Sequence, residues 1–308
     1  MAAIRILVLG ATGQIGGALT RGNWPPGILM IGLTRAEADL TDEASLAAAL
    51  ERHRPDVVIN ATAWTAVDMA ETEEAAAFAV NAEGPGRLAR LCAAANLPLI
   101  HISTDYVFDG SKDGAYLETD PVAPVSAYGR SKEAGEAAVR AELERHVIVR
   151  VAWIYSAGGA NFVRTMLRLA EDRPELRVVA DQIGTPTAAD DVAAALMMIA
   201  LRIVNARKDA ADAASLWGTY HFTAGGSTSW HGLADCVFRI LERETGKRPT
   251  VTAITTADYP TPARRPANSR LDCSKIEKTF GIHRPDWQDG VERVVMKLLA
   301  EKAGTGEG

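Results

Sequence analysis

The sequence contains few cysteines, and their spacing argues against two cysteine-based architectures. The 308 residues include three cysteines, Cys92, Cys236 and Cys273, an odd and widely scattered set. They form neither a C-x-x-C pair nor a disulfide framework, as is typical of a protein in a reducing cytoplasm. The six histidines lack the spacing of metal ligands, so we assign no metal site.

The sequence also lacks an excess of positive charge and a long apolar run. It has 33 Lys and Arg against 39 Asp and Glu, a formal charge of −6. This balance argues against nucleic acid or an anionic membrane as a partner. No apolar run reaches the roughly 18 residues of a membrane span, and we expect no leader peptide at the start. We therefore expect a cytoplasmic protein.

A glycine-rich turn follows the first predicted strand. Ile4 to Leu9 is a short β-branched run that predicts a buried parallel strand. The motif Gly10-Ala-Thr-Gly-Gln-Ile-Gly16 follows it and leads into a helix. Glycines at this point let the backbone approach a pyrophosphate that binds at the helix N-terminus. We therefore predict a dinucleotide site that includes Gly10, Thr12, Gly13, Gln14, Ile15 and Gly16.

The end of the second predicted strand, Ile28 to Leu33, bears on the choice of cofactor. An acidic residue here often binds the ribose hydroxyl of NAD, whereas an arginine can accommodate the 2′-phosphate of NADP. Neither residue 34 nor 35 is acidic, and Arg35 favours NADPH, although an exposed arginine after a strand is also common. Asp39-Leu40 is expected to line the adenine pocket. Thr41 is the expected N-cap of the next helix.

Two further strands end in residues suited to a ligand. The strand 56–60 leads into small residues, including Ala61, that allow close approach to a cofactor. An alanine-rich helix is expected from Asp68 to about Ala95. The fourth strand, 99–103, contains Ile102, a predicted cofactor contact, and continues into Thr104 and Asp105. Ligands bind at the carboxyl ends of strands in open α/β sheets.

Tyr128 and Lys132 are four residues apart in a predicted helix, so their Cβ atoms lie about 5–6 Å apart on one face. An ammonium lowers the pKa of a neighbouring phenol, and a proton donor works best when its pKa is near the working pH. The pair predicts a general acid for carbonyl reduction. The alternative is that Tyr128 and Lys132 are a surface tyrosine and lysine that are neighbours by chance. The catalytic interpretation is favoured because Thr104 and the end of a fifth strand, over 146–155, are expected at the same edge of the sheet.

The alternation of strands and helices predicts an α/β fold, a Rossmann-type doubly wound parallel sheet. Residues 1–155 are the expected dinucleotide-binding domain. Residues 156–301 are expected to form a smaller, interleaved α/β substrate-binding cap, followed by a flexible tail, 302–308. The proline-fixed loop 260–266 contains Arg265, which suits a diphosphate or carboxylate partner; a structural linker with solvated arginines is equally consistent with it.

Seven motifs together resemble the extended short-chain dehydrogenase/reductase superfamily, and within it the dTDP-4-dehydrorhamnose reductase family. The matching segments extend over nearly the whole chain: 10–16, 60–68, 103–110, 128–132, 150–155, 181–187 and 265–272. The resemblance implies reduction of dTDP-4-dehydro-L-rhamnose to dTDP-L-rhamnose. It further implies NADPH as the cofactor, with NADH also accepted.

The resemblance also implies roles for individual residues. Tyr128 would protonate the C4 oxygen, Lys132 would lower the Tyr128 pKa and hold the nicotinamide ribose, and Thr104 would hydrogen-bond the C4 oxygen. Trp153 would pack on the sugar, with Val67, Asp105 and Arg265 as further substrate contacts. The cofactor would be lined by Gly13, Gln14, Ile15, Asp39, Leu40, Ala63 and Thr65. Some members of the family are magnesium-linked dimers; a homodimer is left open here, without an assigned metal.

Three alternatives are weighed against this function. Related 4,6-dehydratases have Asp-Glu after the catalytic threonine, but here Tyr106 follows Asp105, which argues against a dehydratase. A reductase or epimerase of another nucleotide-linked 4-keto sugar, such as one leading to a talose, stays open. A non-catalytic regulatory paralogue is disfavoured because Thr104, Tyr128 and Lys132 are all present.

Overall fold

A computed structural model describes residues 3–206 and 214–305, and a six-stranded parallel sheet lies at its centre. The strands are β1 Ile4–Leu9, β2 Ile28–Leu33, β3 Val57–Asn60, β4 Leu99–Thr104, β5 His146–Val151, β6 Ile154–Tyr155, β7 Glu175–Val179, β8 Ile183–Gly184, β9 Thr187–Ala188, β10 Gly218–His221, β11 Thr228–Ser229 and β12 Thr250–Ile254. The central sheet has the order β2-β1-β3-β4-β5-β10. Successive strands are added to one side of β1 and then, from β3 onward, to its other side. Open α/β sheets bind their ligands at such a switch point, which here lies between β1 and β3.

Helices cover both faces of this sheet. They are α1 Gln14–Arg21, α2 Glu43–His53, α3 Val67–Ala70, α4 Glu74–Phe78, α5 Gly84–Ala94, α6 Ala127–Glu142, α7 Phe162–Asp172, α8 Ala189–Ala206, α9 Trp230–Thr245, α10 Ser274–Phe280 and α11 Trp287–Thr305. One face is packed by α2, α5 and α6 through residues such as Leu46 and Val139. The other is packed by α1, α8 and α10 through Leu19, Leu196 and Ile276. The predicted doubly wound parallel sheet is confirmed.

The C-terminal half also builds a second apolar cluster away from the sheet. It joins α7, α9 and α11 with the parallel pair β7 and β12, and Val237, Phe238 and Val291 are fully buried within it. β10, α8 and α10 return to the central sheet and its faces. The division into a cofactor domain and a substrate cap stays a prediction. α11 extends to Thr305, into the segment expected as a tail, and residues 306–308 lie outside the described residues.

The helix predicted from Asp68 to Ala95 is confirmed over Glu74 to Ala94, but its start is interrupted. α3 and α4 are separate short helices, and a π-helical turn over Ala79–Glu83 precedes α5. The break lies at residues 71–73; from Glu74 to Ala94 the chain stays helical through the π-helical turn, next to which Pro85 has no N–H to donate to the carbonyl of Asn81 four residues earlier. The ladder of hydrogen bonds therefore widens at Asn81.

Two other local predictions are corrected. The N-cap of α2 is Asp42, not Thr41: the Asp42 carboxylate accepts from the N–H groups of Ala44 and Ser45, at 3.0 and 3.2 Å. The Thr41 hydroxyl instead donates to Asp39. The fifth strand does not run unbroken to residue 155, because Trp153 adopts a positive φ of 50° that interrupts the extended chain after Val151.

Within residues 3–206 and 214–305, none of the helices has both the length and the apolar character needed to cross a membrane. Cys92, Cys236 and Cys273 are buried free thiols. Cys92 packs as a small apolar residue, as Cys236 and Cys273 do in their own clusters.

Candidate active site

The glycine-rich turn lies between β1 and α1, at the switch point between β1 and β3. Gly10 has a φ of +82°, which disfavours any side chain, and a Cβ there would lie 2.9 Å from the carbonyl of Ala61 at the end of β3. A Cβ at Gly16 would lie 2.0 Å from the Gly10 carbonyl oxygen. Both glycines are therefore required by close backbone approach.

This turn fits the pyrophosphate of a dinucleotide. Gly13 is the N-cap of α1 and supplies no capping side chain, so the first N–H groups of the helix are left to an external acceptor. Thr12 is exposed beside it, whereas Ile15 packs towards the core of the sheet. The Gln14 side chain accepts from Ser156 at 3.0 Å and Asn161 at 3.2 Å, which joins the turn to the start of α7.

The predicted adenosine contacts lie after β2. Arg35 is 79% exposed and forms an ion pair with Asp39 at 3.0 Å. Hydrogen bonds from Thr41, above all from its backbone N–H, lower the pKa of Asp39. The Leu40 side chain is buried in the core, so its backbone is the part that can face a cofactor.

The segment after β3 lies beside the glycine turn. Ala63 and Thr65 are exposed, and Ala61 and Val67 are half-buried. The Asn81 side chain holds this segment by accepting from the Trp64 N–H at 2.8 Å and donating to the Trp64 carbonyl at 3.0 Å. Sequence reasoning missed Asn81, because its role depends on the π-helical turn.

Three predicted catalytic residues meet at the carboxyl end of β4. Ser126 caps α6 by accepting from the Gly129 N–H, so Tyr128 lies in the first turn and Lys132 one turn later. Both side chains are buried, at 9% and 2% exposure. Thr104 ends β4, and its hydroxyl donates to Asp105 at 3.0 Å and lies beside the Tyr128 phenol. The Lys132 ammonium donates to the carbonyl of Ile102 at 2.7 Å.

Burial dominates the electrostatics of this group. It raises the pKa of Tyr128 far above its ordinary value, and the neighbouring Thr104 hydroxyl only partly opposes this. It lowers the pKa of Lys132 to about 8, with the Glu136 carboxylate acting in the opposite direction. The expected lowering of the Tyr128 pKa by Lys132 is therefore not seen; the phenol stays protonated because burial disfavours its anion. Burial likewise raises the pKa of Asp105 to about 6.

A buried ion pair that sequence reasoning missed lies beneath Lys132. Glu136, one turn further along α6, accepts from Arg150 of β5 at 2.8 and 2.7 Å, and both side chains are almost fully buried. A glutamate in an alanine-rich helix gave no signal for this pairing, which depends on α6 lying against β5.

Trp153 forms part of an aromatic stack at the same edge. Its indole lies nearly parallel to that of Trp230 in α9, with ring centroids 3.6 Å apart, and the Phe162 ring lies 4.8 Å from that of Trp230, tilted by 45°. Gly184 leaves room for Trp153, because a Cβ there would lie 2.4 Å from the indole. Trp230 donates to Gln182 at 3.1 Å. Sequence reasoning missed Trp230. The available indication was that Trp230 directly follows Ser229, the predicted N-cap of its helix.

Arg265 contacts protein groups at this edge. Its guanidinium donates to the Asp68 carboxylate at 2.8 Å and to the Tyr106 hydroxyl at 3.2 Å. Tyr106 in turn packs edge-on against Tyr128, at 5.4 Å between ring centroids. Among the described ranges, 3–206 and 214–305, no group of three or more His, Cys, Asp or Glu side chains could hold a metal ion.

Comparisons with known proteins agree with this geometry. A family model described as the RmlD substrate binding domain matches residues 4–300. The chain is 45% identical over 298 residues to a dTDP-4-dehydrorhamnose reductase from Sinorhizobium fredii, covering 97% of this chain and 99% of that protein. It is 44% identical over 302 residues to one from Burkholderia thailandensis, covering 97% and 100%.

Solved structures are similar over the same length. A dTDP-4-dehydrorhamnose reductase from Bacillus anthracis in complex with NADP is 32% identical, with a TM-score of 0.86, covering 96% of this chain and 99% of that one. A reductase of the same name from Clostridium acetobutylicum is 35% identical, also with a TM-score of 0.86, covering 96% and 100%.

Proposed function

The chain belongs to the RmlD substrate binding domain family, and we propose that it reduces the C4 keto group of dTDP-4-dehydro-L-rhamnose with NADPH or NADH. The product is dTDP-L-rhamnose. The observation that supports this function best is the meeting of Thr104, Tyr128 and Lys132 at the carboxyl edge of the sheet. This group lies on the same edge as the glycine turn that fits a dinucleotide.

We propose that the glycine turn and the segments after β2 and β3 bind the cofactor. The N–H groups at the start of α1 suit its pyrophosphate, and the exposed Arg35 beside Asp39 suits the 2′-phosphate of NADPH. When bound, the reduced nicotinamide supplies the hydride for the carbonyl carbon. The proposed contacts are Gly10, Thr12, Gly13, Gln14, Ile15, Gly16, Arg35, Asp39, Leu40, Ala61, Ala63, Thr65, Ile102, Tyr128 and Lys132.

Tyr128 is the proposed proton donor. The Thr104 hydroxyl, which donates to Asp105 at 3.0 Å, lies beside the Tyr128 phenol, so a carbonyl oxygen bound at this point meets the phenol hydrogen. As the carbonyl carbon gains hydride, its oxygen gains the Tyr128 proton, and a hydroxyl group results. Burial raises the pKa of Tyr128, so the proton is present on the phenol at neutral pH.

Lys132 has two proposed roles. Its ammonium lies one turn from Tyr128, and its hydrogen bond to the Ile102 carbonyl fixes its position at the cofactor edge. Because burial lowers the pKa of Lys132 to about 8, its charge is present at neutral pH and is lost as the pH rises through that value. A charge at this distance stabilises the tyrosinate that forms when the proton leaves.

Val67, Asp105 and Trp153 are the proposed substrate contacts, whereas Arg265, predicted with them from the sequence, is held by Asp68 and Tyr106. Trp153 suits the sugar because its indole is held flat by Trp230, and an apolar ring face packs well on a sugar face. A cytoplasmic location is part of the same proposal.

The deciding experiment measures consumption of NADPH and of NADH with enzymatically prepared dTDP-4-dehydro-L-rhamnose, with the product identified by NMR. Formation of dTDP-L-rhamnose is the expected result. A talose-configured product would keep the mechanism but change the sugar. Cofactor binding without consumption would refute the proposal and favour a regulatory protein.

A further inference from the structure

The ring and the backbone of Tyr106 both pack against the start of α6. Its ring meets the Tyr128 ring edge-on, at 5.4 Å between centroids and 75° between planes. Its backbone is equally close, because a Cβ at Gly129 would lie 2.3 Å from the Tyr106 carbonyl oxygen. A displacement of the Tyr106 ring therefore changes the wall against which the Tyr128 phenol rests.

The far end of Tyr106 is held by two charged residues from distant parts of the chain. Arg265 donates to the Tyr106 hydroxyl at 3.2 Å and to Asp68 Oδ2 at 2.8 Å. Asp68 Oδ1 accepts from the backbone N–H of Ala263 at 3.2 Å. Both carboxylate oxygens thus bind the loop 260–266, and the Asp68–Arg265 pair is only 39% and 26% exposed.

We propose that Asp68, Arg265 and Tyr106 form a positioning triad that sets the orientation of the Tyr128 ring for proton transfer. This inference rests on the proposed reductase function. Asp68 and Arg265 carry opposite charges that largely cancel at Tyr128, so the triad contributes geometry more than charge. Misplacing a catalytic group by about 1 Å can slow a reaction by about 100-fold.

The proposal competes with direct binding of the substrate diphosphate by Arg265, and the two make opposite predictions for Asp68→Asn. Removing the Asp68 charge would free Arg265 for the diphosphate and lower KM if the arginine binds substrate. If Arg265 is a positioning residue, Asp68→Asn and Arg265→Met both lower kcat, by about tenfold, with KM changed less than about threefold. The double variant is then no worse than either single one.

The matched control is Arg264→Met, which removes the exposed neighbouring arginine and is expected to keep wild-type kcat and KM. Tyr106→Phe removes only the hydroxyl and should reproduce the Asp68→Asn defect. Arg265→Lys keeps one donor and should recover part of the activity. NADPH binding, unchanged in every variant, serves as the check on folding because the glycine turn lies outside the triad.

A second test, by NMR, does not depend on catalytic activity. The chain has six tyrosines, so protein labelled with ¹³C at tyrosine Cζ gives a spectrum in which Tyr128 is assigned by its loss in Tyr128→Phe. The Tyr128 signal should move in Asp68→Asn and Arg265→Met but not in Arg264→Met.

An unmoved Tyr128 signal, or a fall in KM in Asp68→Asn, overturns the triad. A wild type that consumes no NADPH or NADH refutes the reductase function alone, since the spectrum still tests the triad.

Discussion

Tyr128 and Lys132 share one face of α6, and burial acts on both of them against the charged form. Burial raises the pKa of the Tyr128 phenol and lowers the pKa of the Lys132 ammonium, because a low-dielectric site disfavours an anion and a cation alike. The pair is therefore arranged to release a proton only when charge develops on a neighbouring oxygen.

Replacing Tyr128 by Phe tests this at the level of one oxygen atom. Tyr128→Phe should lower kcat by about 100-fold or more, on the scale of losing a general acid, while NADPH binding persists. Steady-state kinetics and a binding titration measure the two effects. Near-normal turnover in this variant would remove Tyr128 from the mechanism.

Asp105 predicts a pH dependence of stability. Burial raises its pKa to about 6 in the folded protein, whereas an unfolded aspartate titrates near pH 4. Between these values the folded state holds more protons, so this residue makes the free energy of unfolding fall as the pH rises. Asp105→Asn should remove that contribution and gain stability relative to the wild type, on the order of 2 kcal/mol by pH 7.

Urea unfolding of both proteins across this pH range checks the prediction. The stability difference should grow from about pH 4 to about pH 6 and then stay constant. A difference that does not vary with pH would mean that Asp105 titrates normally.

At the scale of elements, α6 is fixed to β5 by charge as well as by apolar packing. The Glu136–Arg150 pair is almost fully excluded from water, so loss of Arg150 leaves the buried Glu136 charge with only the partly exposed Arg140 as a cation partner. Arg150→Met should lower the free energy of unfolding by about 3–5 kcal/mol, and the Glu136→Leu, Arg150→Met double variant should recover much of this loss.

Arg140 provides the matched control for this pair. It also contacts Glu136, at 2.9 Å, but its side chain is 37% exposed. Arg140→Ala should therefore change the free energy of unfolding by less than about 1 kcal/mol. Chemical denaturation measures all three variants, and equal losses in Arg140→Ala and Arg150→Met would contradict the role of burial.

At the scale of the whole molecule, cofactor binding should stabilise the fold, because the glycine turn that fits the cofactor, joined to α7 through Gln14, exists only in the folded chain. With free NADPH at about 100 times its Kd, the free energy of unfolding should rise by about 2.7 kcal/mol.

Arg35→Ala should weaken binding of NADPH by about tenfold and leave that of NADH unchanged, since only NADPH has the 2′-phosphate. Thermal unfolding with each cofactor measures this; equal effects on both would exclude Arg35 from phosphate binding.

The sequence alone was sufficient for the parts of the fold that depend on neighbouring residues. Buried strands, the glycine turn and the Tyr128–Lys132 spacing follow from local periodicity and backbone constraints, and the doubly wound sheet follows from their alternation. The helix predicted from Asp68 to Ala95 missed the break at residues 71–73, and it missed the π-helical turn because its alanine content outweighed Pro85, whose missing N–H lets the chain widen at Asn81.

Only the tertiary structure decided which distant side chains complete the site. Trp230 lies against Trp153, Arg265 binds Asp68, and Glu136 binds Arg150, across separations that no local pattern encodes. It also decided the electrostatics. Lys132 next to Tyr128 predicts a lowered phenol pKa, but burial of both groups reverses that result, because the loss of hydration is set by everything packed around them.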